Sequence, residues 1–522
     1  MGELLLAGGL LVDGTGAPAR RADVRVVDGR VAEIGPELAT SGERRDVAGA
    51  IVAPGFVDIH THSDLTLLAN PSAASKIAQG VTTEVVGNCG LGVAPLPPGA
   101  DRVAIRAGVS YLDLDPDVEW AWSDVDTYLR VVTDAGPALN VATLVGHLPL
   151  HAGVVGFTDA PATDEQRRRM AGLLGEALDA GALGLSTGLV YAPLTFAGEA
   201  ELTELAAVVA ARGKVFTWHV RSYDDGLLPS VTQAVDVARR TGCRTQISHL
   251  AAVGRRNWGA VRRALDLVDD ANAAGVTVGV DIYPYLHGSA PLVQLLPPDV
   301  QEGGADALRT RLGSASVRSA IRAAWTDRPT TWAEITVSWL PDGAPTGLVG
   351  VTIAAIAADR GQHPDDTALD LLAEYGSSVL MVAGGRSEDD LRAVLEHPAA
   401  VVASDGLALD RDGVTGRGRP HPRSFGCFPR YLARYVGSDL PAAIARCTSA
   451  PAAIVGLADR GVLRPGRPAD VVVLDPSRLV DRATFTEPQQ YPDGVDLVLV
   501  NGQAVVDAGR PTGVRSGQVL RR

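Results

Sequence analysis

The sequence predicts an α/β fold in which a (β/α)8 TIM-like barrel carries a small β-sandwich domain formed by the N- and C-terminal segments. In the middle of the chain, short apolar runs alternate with helical patterns such as TDEQRRRMAGLLGEALDAG, which indicates repeated βα units. Eight of these runs resemble strands, the number that a barrel of this kind needs. Both ends of the chain instead show short alternating strands between Asp-Gly and glycine-rich turns.

These patterns divide the chain into three segments. Residues 1–53 are predicted to form the first part of the sandwich, residues 54–457 the barrel, and residues 458–522 the second part of the sandwich. The segment from about residue 288 to 348 lies between the seventh and eighth strand candidates and is longer than a normal βα loop. We expect this segment to form a lid.

Composition excludes several classes of protein. With 46% apolar residues among 522, the chain is too apolar to be disordered and long enough for a large core. The net charge is −14 and the basic residues form no run, which argues against nucleic-acid binding and favours a small-molecule substrate. No stretch of about 18 apolar residues lacks charge, so no membrane span is expected. A homo-oligomer is compatible with these observations.

The cysteines and the N-terminus favour a cytoplasmic location. The four cysteines are far apart and form no Cys-x-x-Cys pair, so neither a disulfide framework nor a structural zinc knuckle is indicated. The apolar run LLLAGGLLV follows Glu3 and no basic segment, which is typical of a strand and not of a signal peptide. A reducing compartment suits such a chain.

Polar side chains with metal-binding chemistry follow most of the strand candidates. The candidates are, in chain order, FVDIH, TTEVVGN, NVATLVGH, ALGLSTG, VFTWHV, TQISHL, VTVGVDIY and VVASDG. Because the carboxyl ends of barrel strands gather at one mouth, the polar residues at these ends are expected to meet. They are His60, Cys89, His147, His219, His249, Tyr283 and Asp405. This set is more typical of a metal site than of a core.

The histidines offer two groups of nitrogen ligands. His60 and His62 are two residues apart at a strand end, so both imidazoles point to one side and can chelate an ion. A single pair of this kind is equally compatible with a hydrogen-bonded surface or core role. His219 and His249 each end an apolar strand, where a buried core histidine is the alternative, and in a barrel they would converge on a second metal position.

A carboxylate and a thiol complete the candidate site. Asp405, in SDG, is either a turn residue or a proton acceptor beside an activated water, as amide hydrolysis requires. Cys89, in GNCG, is either a small buried apolar residue or, as thiolate, a strong zinc ligand that can bridge two ions. The histidines favour the functional role for Asp405, and the glycine-flanked turn at a strand end favours it for Cys89.

Longer motifs carry a family resemblance that covers nearly the whole chain. Two motifs, PGFVDIHTHSD and GVLRPGRPADVVVLD, resemble those of the amidohydrolase superfamily. Others resemble motifs of its N-acyl-D-amino-acid deacylase branch: GVTTEVVGNCG, LGLSTGLVYAP, HVRSYDDG, ISHL, GRRNWG, DIYPY, SDG and HPRSFGCFPR. The resemblance implies a D-aminoacylase-like zinc enzyme that hydrolyses an N-acyl-D-amino acid to a carboxylate and a free D-amino acid.

The resemblance also implies roles for individual residues. The tight metal position corresponds to Cys89, His219 and His249, and a second, weaker position corresponds to His60, His62 and Asp405. Asp405 would be the acid/base, with Tyr191 and His249 orienting the scissile carbonyl. Substrate contacts correspond to Arg423, Tyr283, Tyr191 and Ser289. An arginine suits a carboxylate because its planar fork donates two parallel hydrogen bonds, although a solvated loop arginine is the alternative.

The lysines bear on the number of metals. Many binuclear barrel amidohydrolases bridge their ions with a carbamylated lysine at the end of the fourth strand. This chain has two lysines, Lys76 and Lys214, and neither lies near the end of ALGLSTG. Another residue must bridge the ions, or the site holds one tight metal.

Three departures from the branch concern the substrate. Many members have lysine where this chain has Ala251, an acidic residue where it has Tyr223, and VGHG where it has VGHLPLH. Losing a charge-assisted contact costs about 1.5–3 kcal/mol unless another cation, such as Arg255 or Arg256, replaces it. A blocked carboxylate, a larger acylated molecule or a cyclic amide therefore stays open as the substrate. His151 could contact such a substrate or belong to a plain loop.

Two rival functions remain at this stage. Hydrolysis of a cyclic amide or imide, or deamination of a ring, would use the same fold, but the GNCG cysteine and the Tyr-Arg set favour a deacylase. A non-catalytic barrel scaffold is the other rival. Drift to a scaffold should erode the ligands, yet all six candidates are retained.

Overall fold

The structure is a computed structural model that describes residues 2–115 and 117–522, except for the side chain of residue 346. Its strands are β1 (Glu3–Leu11), β2 (Arg20–Val27), β3 (Arg30–Gly35), β4 (Glu43–Asp46), β5 (Ile51–Pro54), β6 (Phe56–Asp58), β7 (Val81–Val86), β8 (Asn140–Thr143), β9 (Val145–Gly146), β10 (Gly184–Gly188), β11 (Val215–His219), β12 (Arg244–Ile247), β13 (Val278–Ile282), β14 (Gly288–Pro291), β15 (Ile335–Trp339), β16 (Leu380–Ala383), β17 (Ala400–Val402), β18 (Val471–Leu474), β19 (Val495–Val500), β20 (Gln503–Asp507) and β21 (Arg510–Pro511).

The helices lie mainly between the strands. They are α1 (Thr66–Ala69), α2 (Ala74–Ile77), α3 (Arg102–Gly108), α4 (Val125–Ala135), α5 (His147–Val154), α6 (Asp164–Asp179), α7 (Glu199–Ala210), α8 (Leu227–Thr241), α9 (Ala260–Ala273), α10 (Pro298–Gln301), α11 (Gly304–Leu312), α12 (Ala315–Trp325), α13 (Ile353–Arg360), α14 (Pro364–Tyr375), α15 (Glu388–Glu396), α16 (Arg423–Arg434), α17 (Leu440–Cys447) and α18 (Ser449–Val455). In the part of the chain that the structure describes, no helix combines the length and the apolarity that crossing a bilayer would need.

Strands from the two ends of the chain share one sheet. β1–β5 and β18–β21 form nine hydrogen-bonded strands, and β18 joins the halves by pairing antiparallel with β5. The alternation of apolar residues along these strands lets both halves contribute to a separate core, in which Val24, Val52 and Val471 are fully buried. The terminal segments therefore support each other across more than 400 residues of sequence.

The central strands are parallel and fall into two sheets. One has the order β6-β7-β8 and the other β9-β10-β11-β12-β13-β17. β8 and β9 follow each other in sequence, and a parallel bridge between Thr61 and Gly406 links the chain after β6 to the chain after β17. All eight strand candidates of the sequence correspond to strands here. Their buried, near-continuous apolar character is what strands covered on both faces require.

The connecting helices begin at recognisable capping residues. α6 starts with a capping box in which the side chain of Thr163 accepts a hydrogen bond from the Gln166 backbone and Gln166 bonds back to Thr163. α8 ends at Gly242, whose φ of 71° is the left-handed conformation that terminates a helix. These local signals set the residues at which the helices begin and end.

A separate substructure is inserted after β13. β14, β16 and β15 form an antiparallel sheet, and α10–α14 pack on it around a second core that contains Leu312, Ile321 and Ile335. The segment predicted as a lid, residues 288–348, contributes β14, β15 and α10–α12 to this substructure. One edge of it faces the ends of the parallel strands, where Ser289 and Met381 line a cavity.

Candidate active site

The strand ends bring four of the predicted ligands into one buried group. His60 and His62 follow β6, Cys89 follows β7, and Asp405 follows β17. Their ligand atoms all lie within 4.8 Å of one another. His60 Nε2 is 3.2 Å from Cys89 Sγ and 3.3 Å from Asp405 Oδ1, while His62 Nε2 is 2.9 Å from the same carboxylate oxygen.

A second group shares the thiol with the first. Cys89, His219 and His249 also have their ligand atoms within 4.8 Å of one another, and Cys89 Sγ lies 3.5 Å from His249 Nε2. His219 ends β11 and His249 follows β12, so neighbouring parallel strands supply the two imidazoles. The sequence predicted both groups, and Cys89 is the residue that joins them.

Three of the six residues adopt a backbone conformation that is rare outside glycine. The φ angles are 53° at Cys89, 35° at His249 and 52° at Asp405. A left-handed conformation is unfavourable for a residue with a side chain, and it persists where the surrounding structure imposes it. Here it turns the chain at the strand end and aims each side chain at the common centre.

Asp281, in β13, orients two of the histidines. Its Oδ1 lies 3.0 Å from His60 Nδ1 and accepts a hydrogen bond from the backbone N–H of His249 at 2.8 Å. Because a carboxylate accepts the bond, His60 Nδ1 carries a proton and Nε2 faces Cys89 and Asp405. Sequence reasoning missed Asp281, although a carboxylate within the apolar strand VTVGVDIY was a usable signal.

Burial keeps three of the imidazoles neutral. It lowers the pKa of His219 to about 3 and that of His249 well below its ordinary value. It also lowers the pKa of His62, against the hydrogen bond to Asp405. His60 differs because the negative charges around it outweigh burial and raise its pKa, Asp281 contributing most of the increase. Neutral imidazoles are the form that binds metals.

The same surroundings lower the pKa of the Asp405 carboxyl and raise the pKa of the Cys89 thiol. Burial raises the pKa of Asp405, but the charges of Arg423 and His60 outweigh it and hold that pKa well below its usual range. Burial raises the pKa of Cys89 to about 11, and the charge of His60 offsets only part of the increase. Asp405 is therefore ionised at neutral pH.

The donor set fits a metal such as zinc. His219 Nδ1 and His62 Nδ1 are buried without hydrogen-bond partners, and each histidine belongs to one of the two donor groups. Thiolate, imidazole and carboxylate are the ligands that zinc takes in proteins. A dense set of such donors, buried at the ends of parallel strands, is typical of metal-dependent hydrolases.

A cavity of about 620 Å³ opens onto both groups. His62, Cys89, His219, His249 and Asp405 line its floor. The predicted contacts Tyr191, Tyr283 and Ser289 line its walls together with Tyr111 and Tyr223. Its size and its mixture of aromatic and polar walls are typical of a small-molecule site.

Arg423, a predicted substrate contact, does not itself line this cavity but pairs with Asp405, which does. Its side chain is 1% exposed, and Nη1 is 2.7 Å from Asp405 Oδ2. Nη2 donates to Tyr111 Oη at 3.1 Å and, at 3.5 Å, to the backbone carbonyl of Ser289. The guanidinium also stacks on Tyr283, 4.5 Å from the ring centroid. No motif in the sequence indicated Tyr111.

His147 and His151 lie in a different buried network. Glu201 Oε1 lies 2.7 Å from His147 Nε2 and 2.7 Å from His151 Nδ1. The other ring nitrogen of His147, Nδ1, is 2.9 Å from Thr187 Oγ1. Burial raises the pKa of Glu201, but the two histidines outweigh it and lower that pKa to about 2. Neither histidine lines the cavity described above.

The two lysines do not reach the donor groups. Lys76 is fully buried and pairs with Asp58 Oδ2 at 3.0 Å and Glu84 Oε1 at 2.8 Å. Lys214 Nζ donates to the backbone carbonyl of Ala182 at 2.9 Å. The thiol of Cys89 is accordingly the group shared between the two sets of ligand atoms.

Comparison with known proteins confirms the resemblance seen in the motifs. The amidohydrolase family model matches residues 43–294 and 389–506. The chain is 38% identical to the N-acyl-D-glutamate deacylase of Alcaligenes xylosoxydans xylosoxydans, with 100% of this chain and 96% of that one covered. It is 34% identical to the N-acyl-D-aspartate deacylase of the same organism, with 99% and 95% covered.

A solved structure agrees with the sequence comparison. The crystal structure of N-acyl-D-glutamate deacylase from Bordetella bronchiseptica, complexed with zinc and a phosphonate inhibitor that mimics the tetrahedral intermediate, superposes with a TM-score of 0.83. It is 36% identical to this chain, and 99% of each chain is covered. The chain belongs to the amidohydrolase family.

Proposed function

We propose that this protein is a metal-dependent N-acyl-D-amino-acid deacylase. It hydrolyses the amide bond of an N-acyl-D-amino acid to a carboxylate and a free D-amino acid. The observation that carries the proposal is the position of Asp405, which lines the cavity and contacts both His62 of the donor set and Arg423, a predicted substrate contact. The full-length relatives named for this activity support it.

We assign zinc to the two donor groups. Cys89, His219 and His249 would hold a tight ion, and His60, His62 and Asp405 a weaker one, with Cys89 able to contact both. A related structure is described as a zinc complex, and another relative, a D-aminoacylase, is described as having a binuclear metal centre. Zinc, when bound, supplies Lewis acidity towards the substrate carbonyl and the attacking water.

Asp405 moves the proton in this scheme. Because the nearby cations keep it ionised, it accepts the proton of the water that attacks the acyl carbon. It returns that proton to the amide nitrogen as the C–N bond breaks, so the D-amino acid leaves as an amine. Tyr191, whose pKa burial raises well above its ordinary value, keeps its phenolic proton and donates to the carbonyl oxygen. His249 helps to orient the same carbonyl.

We propose that the substrate carboxylate binds next to Arg423. The predicted contacts are Arg423, Tyr283, Tyr191 and Ser289; the last three line the cavity, and Arg423 donates to the backbone carbonyl of Ser289. Arg423 is paired with Asp405 when no substrate is bound, so its guanidinium has to divide its donors between Asp405 and a substrate carboxylate.

We propose the same architecture and location that the sequence predicts. The link between Thr61 and Gly406 and the direct succession of β8 and β9 support a closed (β/α)8 barrel over residues 54–457. Residues 1–53 and 458–522 would form the sandwich domain, and residues 288–348 the lid. The four buried, free cysteines support a cytoplasmic location.

The experiment that tests the function is a substrate panel with metal analysis. The purified protein is incubated with N-acetyl-D-amino acids, their L-enantiomers, cyclic imides and aminated ring compounds, and released amine is measured. Hydrolysis confined to the N-acetyl-D-amino acids, by protein containing about one zinc per chain, is the expected result. Turnover of cyclic imides alone would contradict it, and less than about 0.1 zinc per chain without turnover would favour a scaffold.

A further inference from the structure

Arg386 is a cation at the cavity wall that the family motifs do not include. It lies in the loop between β16 and α15, and its side chain lines the 620 Å³ cavity. The preceding residue fixes this loop, because the carbonyl of Gly385 accepts hydrogen bonds from Gly254 N–H at 2.8 Å and Trp258 Nε1 at 3.0 Å. The backbone that carries Arg386 is thus held by the loop that follows β12.

The guanidinium of Arg386 lacks a counter-ion among the described residues. Its Nη1 is buried without an acceptor. Its Cζ stacks 4.8 Å from the ring centroid of Tyr283, whose hydroxyl is also buried without a partner. A buried N–H or O–H that has no acceptor costs free energy, so two such donors side by side indicate a missing anionic acceptor.

A glycine leaves the space for that acceptor open. A Cβ placed on Gly288 would lie 3.2 Å from Arg386 Nη2 and 3.8 Å from Tyr283 Oη. The absence of a side chain there leaves a gap beside the Arg386 guanidinium and the Tyr283 hydroxyl. Ser289, the next residue, also lines the cavity. A carboxylate, with two acceptor oxygens, suits a guanidinium and a hydroxyl that converge in this way.

The other arginines at or near the cavity are engaged elsewhere. Arg221 donates to the side chain of Gln233 and to the backbone carbonyls of Thr195 and Ala197. Arg256 pairs with Asp225 and Asp327 at the rim. Arg328 has an unpartnered Nη1, but its guanidinium stacks 3.5 Å from the ring centroid of Trp332 in the inserted substructure. Arg423 is paired with Asp405, as described above.

Arg386 also adjoins the position where a cation was expected. It lines one small cavity together with Ala251, which stands where many relatives have lysine. We propose that Arg386 is a second cation, besides Arg423, that contacts the α-carboxylate of the substrate, together with the hydroxyl of Tyr283. In this chain the positive charge that relatives place at the position of Ala251 is therefore supplied from the loop before α15. The substrate accordingly has a free α-carboxylate. This inference rests on the proposed deacylase function.

The test compares two substrates in three variants. Kinetic constants are measured for the best N-acetyl-D-amino acid of the panel and for its C-terminal carboxamide, which lacks the charge. Arg386→Met should lower kcat/KM for the free acid by about ten- to a hundredfold, mainly through KM, and leave the carboxamide unchanged. Arg386→Lys should lose less, because it keeps the charge but not the fork. Arg328→Met is the matched control and should leave both substrates unchanged.

Each result either supports or overturns the inference. The inference would be overturned if Arg386→Met and the unaltered enzyme had equal kcat/KM for the acid. It would also be overturned if Arg386→Met lost the same factor for the acid and the carboxamide. A loss selective for the acid in Arg328→Met, and not in Arg386→Met, would overturn it as well. Zinc content and circular dichroism show that the variants are folded. If the unaltered enzyme hydrolyses no N-acyl-D-amino acid, the proposed function fails; if it does and Arg386→Met is as active, only this inference fails.

Discussion

Replacing Asp405 by asparagine removes the negative charge and the proton-accepting group from a side chain that makes three contacts. The carboxylate lies 2.9 Å from His62 Nε2, 3.3 Å from His60 Nε2 and 2.7 Å from Arg423 Nη1. Asparagine keeps the shape and one acceptor oxygen but neither the charge nor the ability to take a proton from water. The donor group of Cys89, His219 and His249, which we propose holds the tighter ion, is not changed.

The expected magnitudes follow from these contacts. Loss of a general base lowers kcat by about two to four orders of magnitude. Removing one partner of a buried ion pair costs about 3–5 kcal/mol of unfolding free energy, and we expect about 3 because the asparagine oxygen still accepts from Arg423. KM for the acid substrate should fall, since the neutral asparagine competes less strongly than the Asp405 carboxylate for the donors of Arg423.

Three measurements check this reasoning. Steady-state kinetics give kcat and KM, metal analysis gives zinc per chain, and denaturant unfolding gives the free energy of unfolding. Asp64→Asn is the control, because Asp64 is a buried carboxylate of the same strand-end segment that belongs to neither donor group. An Asp405→Asn enzyme with a near-normal rate would refute the proton-transfer role. A variant that loses zinc together with activity would show that Asp405 acts chiefly as a ligand.

Three further predictions concern the surroundings of the site. Asp281→Asn should weaken zinc binding by about ten- to a hundredfold, measured by competition with a chelator, because His60 and His249 lose their orienting carboxylate; unchanged affinity would contradict this. Glu201→Gln should lower unfolding free energy by about 1–3 kcal/mol with zinc content and kcat retained, whereas loss of zinc would make its network part of the metal site. Burial raises the pKa of Asp64 to about 7, above its unfolded value, so its contribution to stability is greatest below about pH 4 and is lost as pH rises towards 7. Unfolding measured across this interval should show stability falling by up to about 1.4 kcal/mol per pH unit more steeply in the unaltered protein than in Asp64→Asn, and parallel curves would refute the shifted pKa.

Much of the site could be predicted from the sequence because local patterns of apolar and polar residues indicate where strands end and which side chains lie there. A histidine or aspartate at the end of an apolar strand is placed by the strand itself, and parallel strands bring their ends together. His60, Cys89 and Asp405 therefore converge as the sequence indicated. The same logic located the strands, since an apolar run bounded by turn residues needs no knowledge of its neighbours.

The partners of these residues were decided by tertiary structure alone. Asp281 is 221 residues from His60, and Tyr111 is 312 residues from Arg423. Periodicity shows that a side chain is buried but not which distant side chain it will meet, because that depends on the packing of whole elements. Arg386 is the clearest case: its loop shows no motif, and only the fold places it beside Tyr283 and Ala251.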